Sequence, residues 1–137
     1  MKHIIDLLAR ACLAFIFLYE AYDSIHYFKA TKLMMTEYGI TWRQDLLLIG
    51  VITFLIIGGL LVLTGYRTGL GVFMLLLYWI PITFILHSWW YYPEPEARLQ
   101  AIMFMKNVAI TGGLLMLWVN GAGKYSVKRL FATTNVS

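Results

Sequence analysis

Charge is what this chain has least of. Only 13% of its residues are Asp, Glu, Lys or Arg, roughly half the share of an ordinary soluble domain. That shortage excludes a soluble globule, because such a fold needs a wetted, charged surface. Cysteine is almost missing as well. Cys12 stands alone in the 137 residues, so an internal disulfide, a CxxC redox pair and a cysteine-based zinc site are all excluded. Any electron chemistry therefore uses a bound molecule or another protein. The three histidines, His3, His26 and His87, show no HExxH or paired-ligand spacing, and no metal site is expected. A haem held between His26 and His87 is the weakest of the options. A phosphate loop fails at Gly121 to Ser126, where Trp118 occupies the place of the first glycine and Tyr125 follows Lys124.

What is present is apolar. Hydrophobic residues make up 61% of the chain and the mean hydropathy is +0.72, which places the protein in the membrane class. The net charge of +4 does not make a nucleic-acid patch, since Lys and Arg are scattered. Their one cluster, Lys124, Lys128 and Arg129, follows the last apolar run, where a cytoplasmic flank would put it.

Four apolar runs have the length of membrane-crossing helices: about Ile4 to Tyr27, Asp45 to Thr64, Leu70 to Trp90 and Leu99 to Val119. The expected fold is an all-α integral membrane bundle of four transmembrane helices, with residues 1–137 as one domain and no internal repeat. Met1-Lys2-His3 before an apolar stretch resembles a secretory leader, and an uncleaved first span is the expectation. Gly65 to Gly69 reads as a tight turn that makes the second and third spans antiparallel neighbours. Asn120 to Gly123 ends the fourth span. Phe28 to Gln44 mixes Lys29, Lys32 and Glu37 with Leu33, Met34 and Trp42, which suits a segment lying on the membrane surface. An even number of spans puts both termini on one side, and a small excess of basic residues there predicts cytoplasmic termini. On that side the sequon Asn135-Val136-Ser137 would escape glycosylation. Gly58-Gly59 and Gly112-Gly113 should let the second and fourth spans approach closely, and Pro81 should bend the third.

Charges inside a span are costly and normally face water or a partner. Glu20 and Asp23 lie in the outer third of the first helix, Lys106 and Asn107 within the fourth, and His87 near the outer end of the third. At 1.5 Å per residue, Glu20 and Lys106 fall at matching depth, which predicts an ion pair between the first and fourth helices. A bland alternative is that the pair only fixes helix register. Asp6 and Arg10, four apart, read as a local pair. By helical spacing Glu20, Asp23, Ser24 and Tyr27 share one face, Thr83 and His87 another, and Gln100, Asn107 and Thr111 a third. The three stripes converge on a polar pocket in the outer half.

Phe104-Met105-Lys106-Asn107-Val108-Ala109-Ile110-Thr111-Gly112-Gly113-Leu114-Leu115 resembles the FLKN-x-A-x-x-GGLL signature of the DoxX family. Leu63 to Gly69 is similar to its second turn, Gly121 to Ser126 to its GPG-type tail, and Arg10 with Phe15 to Leu18 to the start of its first span. The match runs along nearly the whole chain. The resemblance implies a four-helix protein of the bacterial inner membrane. It also implies a redox association, since the family includes subunits linked to thiosulfate oxidation with quinone as acceptor and others tied to thiol redox. Tyr19 to Asp23 departs from the pattern, with Ala21 where a Gly is expected and more acids.

The reading is a membrane subunit of a quinone-linked redox system. A quinone needs an apolar slot, donors at its carbonyls and groups that move protons. Glu20, Asp23 and Lys106 are the expected catalytic, proton-moving residues. His87 and Asn107 are the expected donors, with Tyr22, Trp79 and Phe104 lining the slot. Expected partners are the lipid bilayer and other subunits of a membrane complex. The alternatives are a non-catalytic anchor or assembly subunit and, third, a small-solute transporter.

Overall fold

The computed structural model describes residues 1–134, with side chains to residue 132; the Asn135-Val136-Ser137 sequon lies outside the described residues. The described residues form α1 (Lys2–His26), α2 (Phe28–Glu37), α3 (Gln44–Thr64), α4 (Thr68–Leu86), a 3-10 turn at Trp89–Tyr91, α5 (Glu96–Asn120) and α6 (Val127–Thr134). The four long helices sit within a few residues of the expected spans. The protein is an all-helical membrane bundle.

Three stretches are long and apolar enough to cross a membrane: Gln44–Thr64, Thr68–Tyr91 and Glu96–Asn120. α1 matches them in length, at 25 residues or about 37 Å, but Asp6, Arg10, Glu20 and Asp23 keep it out of that class. Its geometry is nonetheless that of a bundle member. Arg10, Ala14, Phe17, Ala21 and Ser24 are its buried face, at the spacing of a single helical stripe. Phe15, Tyr19, Tyr22 and Ile25 point outward.

α1 packs along α3, α3 along α4 and α4 along α5, while α1 and α5 meet sparsely. The core between them is Phe17, Leu55, Val62, Val72, Leu75, Trp79 and Leu114 with Ala14 and Ala21. Phe17 and Trp79 meet edge to face at 5.0 Å, a favoured aromatic geometry.

The glycine pairs act differently from the expectation. A methyl group at Gly58 would come within 2.9 Å of Leu75 and 3.2 Å of the Gly71 carbonyl, and one at Gly59 within 2.8 Å of Leu18. Gly58-Gly59 thus seats α3 between α4 and α1, not against α5. Gly112 meets nothing within 4 Å and Gly113 only Leu13. Pro81 is carried inside α4 without ending it. The loss of its backbone donor is tolerable on a helix whose other bonds stay within the segment.

The surface segment is helical and tied down. Gln44 donates through its side-chain amide to Thr36 Oγ1 and to the Ile40 carbonyl, both at 2.7 Å. Lys32 and Asp45 form an ion pair at 2.6 Å, and the Tyr38 and Tyr92 hydroxyls meet at 3.2 Å. At the opposite end the chain turns back after α5, and α6 lays Phe131 edge-on against Tyr66 at 6.0 Å.

Candidate functional site in the half of the bundle away from the termini

Two of the three polar stripes do come together. Asn107, on α5, is buried and donates through Nδ2 to Thr83 Oγ1 of α4 at 3.1 Å. Its backbone carbonyl accepts from Trp79 Nε1 at 3.2 Å and from Thr111 Oγ1 at 2.9 Å. Thr83 in turn donates to the Trp79 carbonyl at 2.7 Å. One turn or more outward, His87 Nδ1 and Gln100 Oε1 are 2.7 Å apart. The register of α4 on α5 is therefore fixed by a ladder of polar pairs, Thr83 with Asn107 and His87 with Gln100. Buried polar groups in hydrocarbon need such partners.

The α1 stripe meets something else. Glu20 accepts a hydrogen bond from Tyr78 Oη at 2.6 Å, a charge-assisted length. The expected ion pair with Lys106 is absent. Among the described residues the ion pair within contact distance is Lys32 with Asp45, and Lys106 Nζ lies 3.3 Å from Met103 Sδ. Matched depth was not enough, because Lys106 points away from the interface. It is exposed, while its neighbour Asn107 faces inward. A step of about 100° along the helix separates the two. Asp23 is half-buried one turn beyond Glu20.

The expected slot is likewise redistributed. Trp79 is buried in the core. Phe104 packs outside it in an aromatic cluster, 5.3 Å from Phe84 and 5.9 Å from Trp90. Tyr22 faces outward, 61% exposed, and stacks on His26 at 5.9 Å. These three rings do not enclose a common space. The apolar groove of this half lies instead between α3 and α4, about 370 Å³ in volume, and is lined by Leu47, Val51, Phe54, Tyr78, Pro81 and Ile82 among others.

Tyr78 is the residue that sequence reasoning missed. Its signal was present: a phenol at the middle of an apolar span needs a partner for its hydroxyl, and Glu20 was the available acceptor. Arg10, expected as the local partner of Asp6, takes another role. It is fully buried and donates through Nη2 to the Tyr125 carbonyl; the expected contact with Asp6 does not form.

This arrangement defines a small helical membrane protein with satisfied polar contacts pooled across helix interfaces at one end. Its family follows from comparison: the DoxX family model matches residues 5–88, and the chain belongs to the DoxX family. The match ends before α5, so the Phe104 to Leu115 signature lies outside it. The chain is also similar to an Escherichia coli (strain K12) protein named inner membrane protein YqjF. The two are 29% identical over 124 residues, covering 90% of this chain and 89% of the relative. No solved structure matches.

Proposed function

We propose that this chain is a membrane subunit of a quinone-linked redox system, seated in a bacterial inner membrane with its termini in the cytoplasm. One observation carries the reading. Tyr78 lines the apolar groove between α3 and α4 and at the same time holds the Glu20 carboxyl by its hydroxyl. A groove of this kind suits a prenylated ring, and a phenol backed by a carboxyl group suits a carbonyl that exchanges protons. A bound quinone would supply a two-electron, two-proton acceptor. As the pair stands, the single Tyr78 O–H points to Glu20. Tyr78 would therefore give its proton to a bound carbonyl only while a protonated Glu20 supplies one to the phenol oxygen in exchange. Val51, Phe54 and Ile82 line the groove. With one cysteine and no group of three metal-ligating side chains among the described residues, the reading calls for electrons delivered by a partner protein. Family membership and the relative's name support the inner membrane.

Mass spectrometry of what stays bound in mild detergent tests it. Quinone should be retained, and Tyr78→Phe and Glu20→Gln should each lower retention with helix content unchanged. Retention unaffected by both substitutions, or a wild-type protein that holds no quinone, defeats the reading. For the topology, cysteines at Glu94 and Lys124 in a Cys12→Ala background should label from opposite faces, Glu94 from outside.

A second reading, a non-catalytic subunit that assembles a larger complex, is favoured by Lys106. Its ammonium is exposed near the middle of α5, 3.3 Å from the Met103 thioether. A charge so placed costs about 3 kcal/mol or more, and a carboxylate on another chain would offset that. Beside it on α5, Ile102 and Met105 are exposed. A stoichiometric partner co-purifying without quinone would decide for this reading.

A further inference from the structure

We infer that the end of the bundle where the termini meet binds a phosphate group, presented by an anionic phospholipid or as free phosphate, with Arg10 as its anchor and Lys2 and Lys124 beside it. Arg10 is 1% exposed. Of its N–H-bearing atoms, Nη2 reaches the Tyr125 carbonyl, whereas Nε and Nη1 are buried without a hydrogen-bond partner among the described residues. Guanidinium groups left in that state are rare, because a buried cation needs both countercharge and acceptors.

The surroundings are built around this group. Gly65, at φ +69°, closes α3 where a methyl group would fall 1.9 Å from Arg10 Nη1. Any side chain there would take the guanidinium's place. The returning tail supplies the other wall through Tyr125 and Ser126. Two cavities, of about 730 and 520 Å³, are both lined by Arg10 and Lys124. Among the described residues, the larger also takes in Lys2, His3 and one carboxylate, Asp6. Among the described residues Asp6 makes no hydrogen bond or close ion pair with Arg10; its Oδ2 lies beside Gly123, 3.0 Å from where a Cβ would stand. Lys2, Arg10 and Lys124 outnumber this one carboxylate among the described residues that line the cavity.

A phosphate oxygen is the acceptor that this donor set fits. The planar fork of arginine matches two phosphate oxygens, and lysine adds a mobile point charge. Position agrees as well. Arg10 is about 12 Å along α1 from its first residue, below the level at which Lys2 and Lys124 meet the headgroups. Basic pockets between membrane helices hold anionic headgroups in this way. The site is separate from the Tyr78–Glu20 groove, so it stands whether or not quinone binds there.

The test uses the full-length protein, stripped of lipid in mild detergent. It is offered phosphatidylglycerol, phosphatidylcholine of the same acyl chains, or inorganic phosphate, and read by native mass spectrometry and thermal shift. Phosphatidylglycerol should be retained and should raise Tm, and phosphatidylcholine should do neither. A shift with inorganic phosphate alone, and its competition with the lipid, would identify free phosphate as the source; its failure to compete identifies the headgroup. Lys2→Gln and Lys124→Gln should each weaken retention roughly five-fold, the pull of one basic residue on an anionic headgroup. Arg10→Lys, which keeps the charge and loses the fork, should weaken it further. Both lysine substitutions lie at the surface and spare the core, so a folding defect at Arg10 does not decide the matter. Equal retention of the two lipids, no response to any phosphate, or wild-type binding by both lysine variants would overturn the proposal.

Discussion

Tyr78 and Glu20 lie 58 positions apart in the chain and join α4 to α1 through a hydrogen bond of 2.6 Å. The bond gives Glu20 a donor inside a span, where water is scarce and an unmet carboxyl group is expensive.

The pair should therefore behave as a unit. Tyr78→Phe and Glu20→Leu should each lower stability in detergent, by about 1–3 kcal/mol for a hydrogen bond to a charged group. The double variant should lose less than the sum, because neither orphan remains. Lys106→Met supplies the control. If Lys106 is not the partner of Glu20, its loss should add to that of Glu20→Leu without coupling. Additivity between Tyr78 and Glu20, or coupling between Glu20 and Lys106, measured by thermal unfolding in one detergent, would contradict the geometry.

Asn107 makes a second, sharper case. Its side chain serves Thr83 while its backbone carbonyl serves Trp79 and Thr111. Asn107→Leu removes only the first of these. The expected loss is about 1–2 kcal/mol, at the high end of what single interhelical hydrogen bonds give in membranes. Thr83→Val in the same background should cost little more. With the other four tryptophans replaced by Phe, a Trp79 fluorescence spectrum unchanged in Asn107→Leu would show that the backbone bond survives.

Much of this was legible from residue order, and the reasons differ by feature. Four apolar runs gave the helices, since length and hydropathy decide membrane crossing whatever the neighbours. The Thr83–His87 and Gln100–Asn107–Thr111 stripes were legible from helical spacing, whereas the individual pairs, Thr83 with Asn107 and His87 with Gln100, come only from the structure. The Glu20–Lys106 pair did not follow, because equal depth says nothing about rotation. One residue of offset turns Lys106 out while Asn107 turns in. Tyr78 was hidden for the same reason: its neighbour Trp79 is the larger ring, yet Trp79 faces the core and Tyr78 faces α1. The fold-back of the tail onto Arg10 could not be read at all, since it joins residues 115 positions apart through a backbone carbonyl that carries no sequence signal.

The two glycine pairs should respond oppositely to the same change. Gly58→Ala puts a methyl group 2.9 Å from Leu75 and close to the Gly71 carbonyl, which is backbone and cannot swing aside. The α3–α4 contact must then open, at a cost of about 1–3 kcal/mol for overpacking. Gly112→Ala meets open space and replaces a helical glycine by a better helix former, so stability should hold or rise by up to about 1 kcal/mol. Parallel thermal melts of the two variants check this. A Gly112→Ala loss as large as that of Gly58→Ala would mean that α5 packs against something through its glycine face.

Outside the spans, Tyr38 provides a handle on pH. Its hydroxyl meets that of Tyr92 at 3.2 Å, and this hydrogen bond, followed by burial, pushes the Tyr38 phenol up from its ordinary value of 10.0 to about 12. A raised folded-state pKa means that folding favours the protonated phenol. The contribution is fully present below the unfolded value near 10 and is lost as the pH climbs through about 12. The contact ties the surface helix α2 to the loop before α5, so its loss should loosen that segment first and leave the bundle intact. Phenolate absorbance followed through an alkaline titration should show one late-titrating tyrosine outside the spans. Tyr92→Phe removes the partner hydroxyl and should return Tyr38 toward ordinary titration, with faster proteolysis between α2 and α3 appearing at lower pH. If Tyr38 titrates late even in Tyr92→Phe, burial and not the hydroxyl pair holds the proton, and the tether between α2 and the outer loop is weaker than the distance implies.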